Sequence, residues 1–408
     1  KQALNLSYTH FIRTTDKHHL EAAQELWRRC LKNNDIYKKT YKGKYCVGCE
    51  LAKTDAELVN GRCPIHPDRE TELRTEENYF FKFSAFGDRL LAFYADHSDF
   101  VRPDFRYTEI KKFVERGLQD FSISRLKTKM PWGVPVPGDD DHVMYVWFDA
   151  LVNYVSAIGW PNSAKAPLGT ALEEGKFEKW AVLSGGMVQY AGKDNLRQQA
   201  AMWQAMLMAA DLPLSQTIVI DGFINATDGQ KMSKSLGNVV NPFDLVPAFG
   251  AEATRYFLAR HINDFEDSDF SVEKMTESYN ANLANGLGNL VSRVLKMAST
   301  HLEEPVTVPK KSIPDDFKVA LDNFRINEAA DIVWRHIGEL DKKIQETEPY
   351  KLVKTDPPAA KKIIAELTVG LYTVGRMLNP LMPETSATIK ALVKANQMPE
   401  APLFARKD

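Results

Sequence analysis

Cysteine is scarce in this chain: there are four in 408 residues, and Cys46, Cys49 and Cys63 cluster while Cys30 stands apart. So few, so placed, exclude a disulfide framework for a protein of this length, and the cluster reads as a set of metal ligands. No run of about 18 apolar residues is present, which argues against a membrane-spanning helix. The opening Lys1-Gln-Ala-Leu-Asn lacks the charged-then-apolar pattern of an export signal, so the expected compartment is the cytoplasm. Charge of one sign is lacking too. With a formal net charge of −2, any nucleic-acid partner has to be held by local basic patches. Internal repeats and low-complexity tracts are absent. The first residue is Lys rather than Met, which suggests that residues once preceded it.

What the chain has is apolar material: 44% of its residues are hydrophobic. At about 100–200 residues per domain, that supports two to four domains with cores of their own. From Lys17 to Lys32, Leu20, Ala23, Trp27 and Leu31 recur at helical spacing, and short polar and aromatic pieces follow from Ile36 to Tyr45. Between Thr75 and Phe93 an aromatic stretch, Tyr79-Phe-Phe-Lys-Phe83, gives way to a helical pattern. Apolar runs at Val143–Phe148, Trp180–Leu183 and Thr217–Ile220 predict strands alternating with helices, hence a parallel α/β sheet. The predicted helix from Asn195 to Ala210 carries Met202, Trp203, Met206, Leu207 and Met208, a stripe read as core packing. After Ser271 the period is almost wholly helical, with Pro305, Pro309, Pro314, Pro349, Pro357 and Pro358 marking connections. An all-α bundle of about 130 residues is expected there.

Several motifs carry chemistry. Gly229-Gln-Lys231-Met-Ser-Lys234-Ser235-Leu-Gly-Asn238 sets two lysines and two hydroxyls, those of Ser233 and Ser235, on a loop flanked by glycine. Such a loop suits the charge that builds up on a leaving pyrophosphate. Cys46-Val-Gly-Cys49 and Cys63-Pro-Ile-His66 give two ligand pairs whose spacing aims both members at one ion. Three thiolates and an imidazole close a tetrahedral Zn²⁺ site, which makes the metal structural and worth roughly 10–16 kcal/mol to its knuckle. Cys30 reads as a buried or incidental thiol. Arg125, in Phe121-Ser-Ile-Ser124-Arg125, is expected on an extended turn where its fork of donors could hold a carboxylate and a phosphate. Tyr145-Val-Trp147-Phe-Asp149-Ala150-Leu151-Val-Asn-Tyr154 places aromatic walls that can enclose a thioether. In Tyr190-Ala-Gly192-Lys193-Asp194, glycine admits a ribose and Asp194 can accept its hydroxyls.

Together these pieces resemble the bacterial methionyl-tRNA synthetases over nearly the whole chain. The matching blocks are Tyr8-Thr-His-Phe-Ile-Arg-Thr-Thr, the zinc knuckle, Glu76-Glu-Asn-Tyr-Phe-Phe, Gly117 to Arg125, Tyr145 to Ala150, Lys231 to Ser235 and Leu283-Ala-Asn-Gly-Leu-Gly-Asn289. The resemblance implies an incomplete class I Rossmann-like catalytic domain (1–32 and 123–222) with a zinc-knuckle insertion (33–122). A signature-loop region (223–276) and an all-α anticodon-binding helical bundle (277–408) follow. It implies a ligase that activates L-methionine with ATP and Mg²⁺ and passes the acyl group to tRNA(Met). Lys234 and Lys231 would clamp pyrophosphate, with Ser233 beside them, and Arg125 would orient carboxylate and phosphate. Trp147, Ala150, Leu151 and Tyr154 match methionine-pocket positions; Gly192 and Asp194 match those for the nucleoside. Asn195 and Gln199 stand where many relatives carry an apolar residue and a histidine, and Gln199 can still hydrogen-bond. Asn289, Arg293 and Tyr350 resemble anticodon readers, Tyr350 in place of the usual tryptophan. No dedicated Mg²⁺ ligand cluster is evident.

No His-x-Gly-His occurs in the chain, so the expectation is a fragment of a synthetase that forms adenylate poorly by itself. His18-His19 lies in a predicted helix and cannot stand in for that motif. The alternatives are a non-catalytic tRNA-binding protein derived from a synthetase, and a class I enzyme for valine, isoleucine, leucine or cysteine.

Overall fold

The computed structural model describes residues 1–48, 51–53, 58–161, 176–183, 185–230, 232, 238–310 and 313–407. It divides into two compact units, one of Thr9–Ile220 and one of Asp221–Asp408 joined by Lys1–Tyr8.

The Thr9–Ile220 unit opens on α1 (Lys17–Lys32), whose Ala22, Ala23, Leu26, Trp27 and Cys30 are fully buried on one face while Leu31 is exposed. Strands β1 (Ile36–Cys46), β2 (Leu51–Lys53) and β3 (Glu72–Phe81) follow, then α2 (Gly87–Asp96), β4 (Val101–Arg102), α3 (Asp104–Glu115) and β5 (Phe121–Ser122). The long β1–β3 pair runs antiparallel from Ile36↔Phe81 to Tyr45↔Glu72 and anchors a sheet of order β2-β1-β3-β5. Next come β6 (Ser124–Leu126), β7 (Pro135–Val136) and β8 (Asp139–Met144), then α4 (Trp147–Ala150) and α5 (Asn153–Ser156). A short α6 (Lys176–Glu178) continues as a π-helical turn at Lys179–Leu183, ahead of β9 (Val188–Gly192). A helical run from Lys193 ends in α7 (Trp203–Ala209), and β10 (Thr217–Asp221) closes the unit.

Two apolar runs fold otherwise than their pattern predicts. Trp180–Leu183 is helical rather than extended, and the strand begins at Val188. Apolar runs of so few residues fit either state, and context decides. The strand predicted at Val143–Phe148 stops at Met144 and lies in an antiparallel sheet of order β6-β8-β7. Its partner β7 arrives through the two-residue connection Pro137-Gly138, with Val136 opposite Asp139 and Gly138 at φ +80°. A hairpin this tight can only pair its strands antiparallel. The parallel pairing occurs elsewhere, between β10 and β4 (Ile218↔Val101, Val219↔Arg102), in a sheet of order β4-β10-β9. Thus Val101–Arg102, from within the segment read as insertion, pairs in parallel with β10. The unit's core is aromatic: Trp27, Phe81, Phe86, Tyr94, Phe100, Phe148 and Trp203 are all buried. Each such side chain stabilises by about 1.5–3 kcal/mol. Trp203, Met206 and Leu207 belong to this core, while Met202 and Met208 are half-buried.

In the Asp221–Asp408 unit, β11 (Ile224–Asn225) and β12 (Ser268–Asp269) pair in parallel. Helices α8 (Pro242–Phe249), α9 (Ala251–His261) and α10 (Val272–Ser278) flank them in sequence. Asn241 and Ser271 cap α8 and α10 by accepting from the backbone N–H of Phe243 and Lys274. Gly222 allows a close approach, since a Cβ there would lie 2.1 Å from the carbonyl oxygen of Glu266. A π-helical stretch, Tyr279–Gly288, leads into α11 (Asn289–His301). Then come α12 (Asp315–Asp322), α13 (Ile326–Thr347), α14 (Pro349–Leu352), α15 (Pro357–Met377) and α16 (Pro383–Ala395), packed on Leu283, Leu290, Val294, Val333, Leu371 and Ile389. Asn5 joins this unit by donating to Glu384 at 2.7 Å. Among the described residues no helix is long and apolar enough to cross a membrane.

Candidate active site and metal centre

Arg125 sits on β6 and is buried, its guanidinium 3.6 Å from the centroid of the Tyr145 ring. One terminal nitrogen donates to Ser122 Oγ at 2.8 Å and to the Ser124 carbonyl at 2.7 Å. The Tyr45 and Tyr145 hydroxyls meet at 3.0 Å beside it. Among the described residues no carboxylate forms an ion pair with Arg125. A buried cation supported only by neutral acceptors and a π face leaves most of its donor fork available, which is the electrostatic condition for binding an anion.

The aromatic segment starts from an unusual backbone. Val146 has φ +34° and ψ −89°, a region that β-branched residues rarely enter, and the turn sends Trp147 into α4. Trp147 and Tyr154 are half-buried against the core, whereas Leu151 is buried and Ala150 half-buried. Tyr154 lies 6.1 Å from Trp203, ring centre to ring centre. Burial raises the Tyr154 hydroxyl above its ordinary range, and the buried Gln199 amide facing it opposes that rise. Gln199 Oε1 and Trp203 Nε1 are buried without hydrogen-bond partners. These two polar atoms therefore lie beside the half-buried Tyr154 ring with hydrogen-bonding capacity unused.

Gly192 ends β9, and Asp194 is exposed on the following turn, where Asn195 donates to it at 3.1 Å. Lys231, Ser233 and Lys234 lie outside the described residues.

The Sγ atoms of Cys46 and Cys63 and a ring nitrogen of His66 all lie within 4.8 Å of one another, with Cys46 Sγ 3.7 Å from His66 Nδ1. Such a set of two thiols and an imidazole can ligate a metal ion. Gly48 makes room for it, because a Cβ there would come within 2.6 Å of the His66 ring. Cys49 lies outside the described residues. Cys30 is remote in role: it is buried in the core, and burial pushes its thiol far up, so it is an inert hydrophobe.

In the helical region Asn289 is exposed at the start of α11, and Arg293, one turn on, donates to Asp341 Oδ1 at 2.9 Å. Tyr350 is 46% exposed on α14 and donates to Glu348 Oε1 at 3.1 Å.

Two polar clusters of the Thr9–Ile220 unit join residues far apart in the sequence, Asp139 and His142 alone being near neighbours. Lys38, Tyr79 and His142 converge on Asp139 Oδ2 at 3.1, 2.9 and 3.1 Å. Burial alone would raise the Asp139 carboxyl, but these three groups hold it well below its usual range. His19 meets Asp149 and Ser156, 130 and 137 residues away. Only partners brought together by the fold reveal such pairs.

A family model described as tRNA synthetases class I (M) matches residues 1–71 and 57–295. The methionine–tRNA ligase of Thermosynechococcus vestitus is 38% identical, over 95% of this chain and 74% of its own length. That of Caldanaerobacter subterraneus subsp. tengcongensis is 36% identical, over 94% of this chain and 60% of its own. A solved structure of Mycobacterium tuberculosis methionyl-tRNA synthetase in complex with methionyl-adenylate is similar at a TM-score of 0.84 and 32% identity, covering 99% of this chain and 84% of that one. The chain spans about 60% of the length of the first of the curated relatives it matches.

Proposed function

The chain belongs to the class I (M) tRNA synthetases and has their fold, and from that membership we propose that it works as part or all of a methionine–tRNA ligase. In this reading the carboxylate of L-methionine attacks the α-phosphate of ATP, pyrophosphate leaves, and the acyl group then passes to the terminal adenosine of tRNA(Met). The observation that carries it is Arg125: a buried guanidinium without a carboxylate partner among the described residues, in a unit that also holds the half-buried rings of Trp147 and Tyr154. Its role is to hold anionic oxygens while charge shifts between them.

Trp147, Ala150, Leu151 and Tyr154 form the thioether wall, and Gln199 with Asn195 supplies its polar side. Gly192 and Asp194 receive the nucleoside. Lys231, Ser233 and Lys234 neutralise the leaving pyrophosphate, Mg²⁺ entering with ATP. Cys46, Cys63 and His66, with Cys49 as fourth ligand, would hold one Zn²⁺ that stiffens the 33–122 insertion without taking part in the reaction. The helical region, 277–408, would read the anticodon through Asn289, Arg293 and Tyr350 by stacking and hydrogen bonding. In this reading the protein works in the cytoplasm. The test is amino-acid-dependent ATP–pyrophosphate exchange with the product of the whole reading frame. Exchange driven by methionine is expected; exchange driven by valine, isoleucine, leucine or cysteine instead would overturn the assignment.

A further inference from the structure

We propose that His19 is a positioning residue for the aromatic pocket wall, clamping both ends of its segment to α1; the proposal rests on reading that segment as the methionine contact. His19 is wholly buried, and its Nε2 donates to Asp149 Oδ1 at 2.7 Å while Nδ1 lies 3.0 Å from Ser156 Oγ. A carboxylate can only accept, so the Nε2 proton faces Asp149, while Nδ1 meets the serine hydroxyl and each ring nitrogen has a polar partner. One imidazole therefore spans from Asp149 in α4 to Ser156 at the end of α5. Between these contacts lie Ala150, Leu151 and Tyr154, and Trp147 stands two residues before the first.

The segment needs such a clamp. It leaves Val146 at φ +34°, a strained conformation that persists only where the surroundings over-determine it. Hydrogen bonds from Ala150 N to the Val146 carbonyl and from Asn153 Nδ2 to the Ala150 carbonyl tie the segment to itself, not to the body of the unit. Trp27, also on α1, packs edge-on against Phe148 at 5.5 Å, and Leu151, Val152 and Val155 are buried too, but the hydrophobic force that holds them is non-directional. The His19 hydrogen bonds are directional and fix rotation as well as distance.

Two substitutions separate the two contacts. In His19→Gln the side-chain amide reaches where Nε2 was and keeps the bond to Asp149; in His19→Asn it reaches only where Nδ1 was and leaves the carboxylate unpartnered. Hydrogen exchange of the peptide covering 145–157 reads the clamp without any ligand, and titration with methionine and with ATP separately reads its consequence. His19→Asn is expected to speed exchange there and to weaken methionine binding, each by about ten-fold, as loss of a hydrogen bond to a charged group implies. ATP affinity is expected to stay unchanged, and His19→Gln to restore both readings towards the wild type. Equal behaviour of the two variants, or a parallel loss of ATP binding, would overturn the proposal. Should His19→Asn fail to fold, Asp149→Asn, which weakens the bond but keeps an acceptor, is expected to show the same changes at smaller amplitude, and its lack of effect overturns the proposal equally. Wild-type protein that binds no methionine yet shows the exchange difference would remove the pocket reading and with it the positioning role, a pattern distinct from failure of the clamp itself.

Discussion

The guanidinium of Arg125 stacks on the ring of Tyr145 at 3.6 Å while two neutral oxygens, from Ser122 and Ser124, occupy one of its nitrogens. The ring and these two oxygens hold the guanidinium in place, and the anion-binding role proposed for it needs its fork of donors.

Replacing Arg125 by Lys is therefore not conservative. A lysine keeps the charge but cannot stack or fork, and methionine-dependent pyrophosphate exchange is expected to fall by about 100-fold or more, the usual loss for one preorganised donor. Exchange assays on folded variant protein check this; wild-type rates in Arg125→Lys would remove the anion-binding role.

Lys234 carries a separate expectation from its place in the lysine loop. Lys234→Ala should cost about 3–4 kcal/mol of activation barrier in adenylate formation with little change in tRNA affinity. Single-turnover adenylation and a binding titration measure the two independently, and equal rates would contradict the clamp.

The cluster of Cys46, Cys63 and His66 predicts bound metal. Purified protein should contain about one equivalent of zinc, and Cys46→Ser with Cys63→Ser should release it and make 33–122 more sensitive to protease. Elemental analysis decides: zinc content unchanged by both substitutions would place the metal elsewhere.

Asp221 and Asp264 give a pH dependence with a definite sign. Burial, with the Asp264 charge adding to it, raises Asp221 to about 6, and burial raises Asp264 to about 6 as well, so the folded unit favours their protonated forms. Their contribution to stability is complete below the ordinary carboxylate value of 3.8 and is lost as pH rises through about 6. Asp221→Asn, locked in the neutral form, should melt higher than wild type at pH 7.5, with the difference fading as the pH is lowered towards the unfolded-state value. Thermal melts across that window test it; a pH-independent difference would mean the carboxylate is not the cause.

Gly222→Ala should destabilise the Asp221–Asp408 unit, because its Cβ would meet the Glu266 carbonyl oxygen at 2.1 Å and backbone must move to admit it. An overpacking cost of about 1–3 kcal/mol is expected in denaturant unfolding. A neutral result would show that the 263–267 turn yields easily.

Much of the architecture was legible because it is local. The helical period after Ser271 depends on side chains three and four residues apart, and those residues do form consecutive helices on one apolar core. The Met-rich stripe and Cys30 were legible as core for the same reason. Trp180–Leu183 was misleading since four apolar residues carry no period, and Val143–Phe148 since its sheet was chosen by the Pro137-Gly138 hairpin and not by its own composition.

Ligand chemistry was legible where spacing alone creates it. Cys63 and His66 are three residues apart in the sequence, and they do lie together beside Cys46 as a group that could hold an ion. Arg125 could be singled out as a residue, but its burial against Tyr145 could not be read, because that environment is assembled from β6 and from the turn after β8.

By itself, then, the order of residues determined the helices after Ser271, the close spacing of Cys63 and His66 and the family to which the chain belongs, all of which depend on neighbours within a few positions or on motif spelling. Tertiary structure alone decided that Val101 lies beside Ile218, that Lys38 and Tyr79 share Asp139, and that His19 holds Asp149. The reason is physical: at such separations no propensity links two residues, and they meet only because burying Trp27, Phe148 and Trp203 in one interior brings their backbones together.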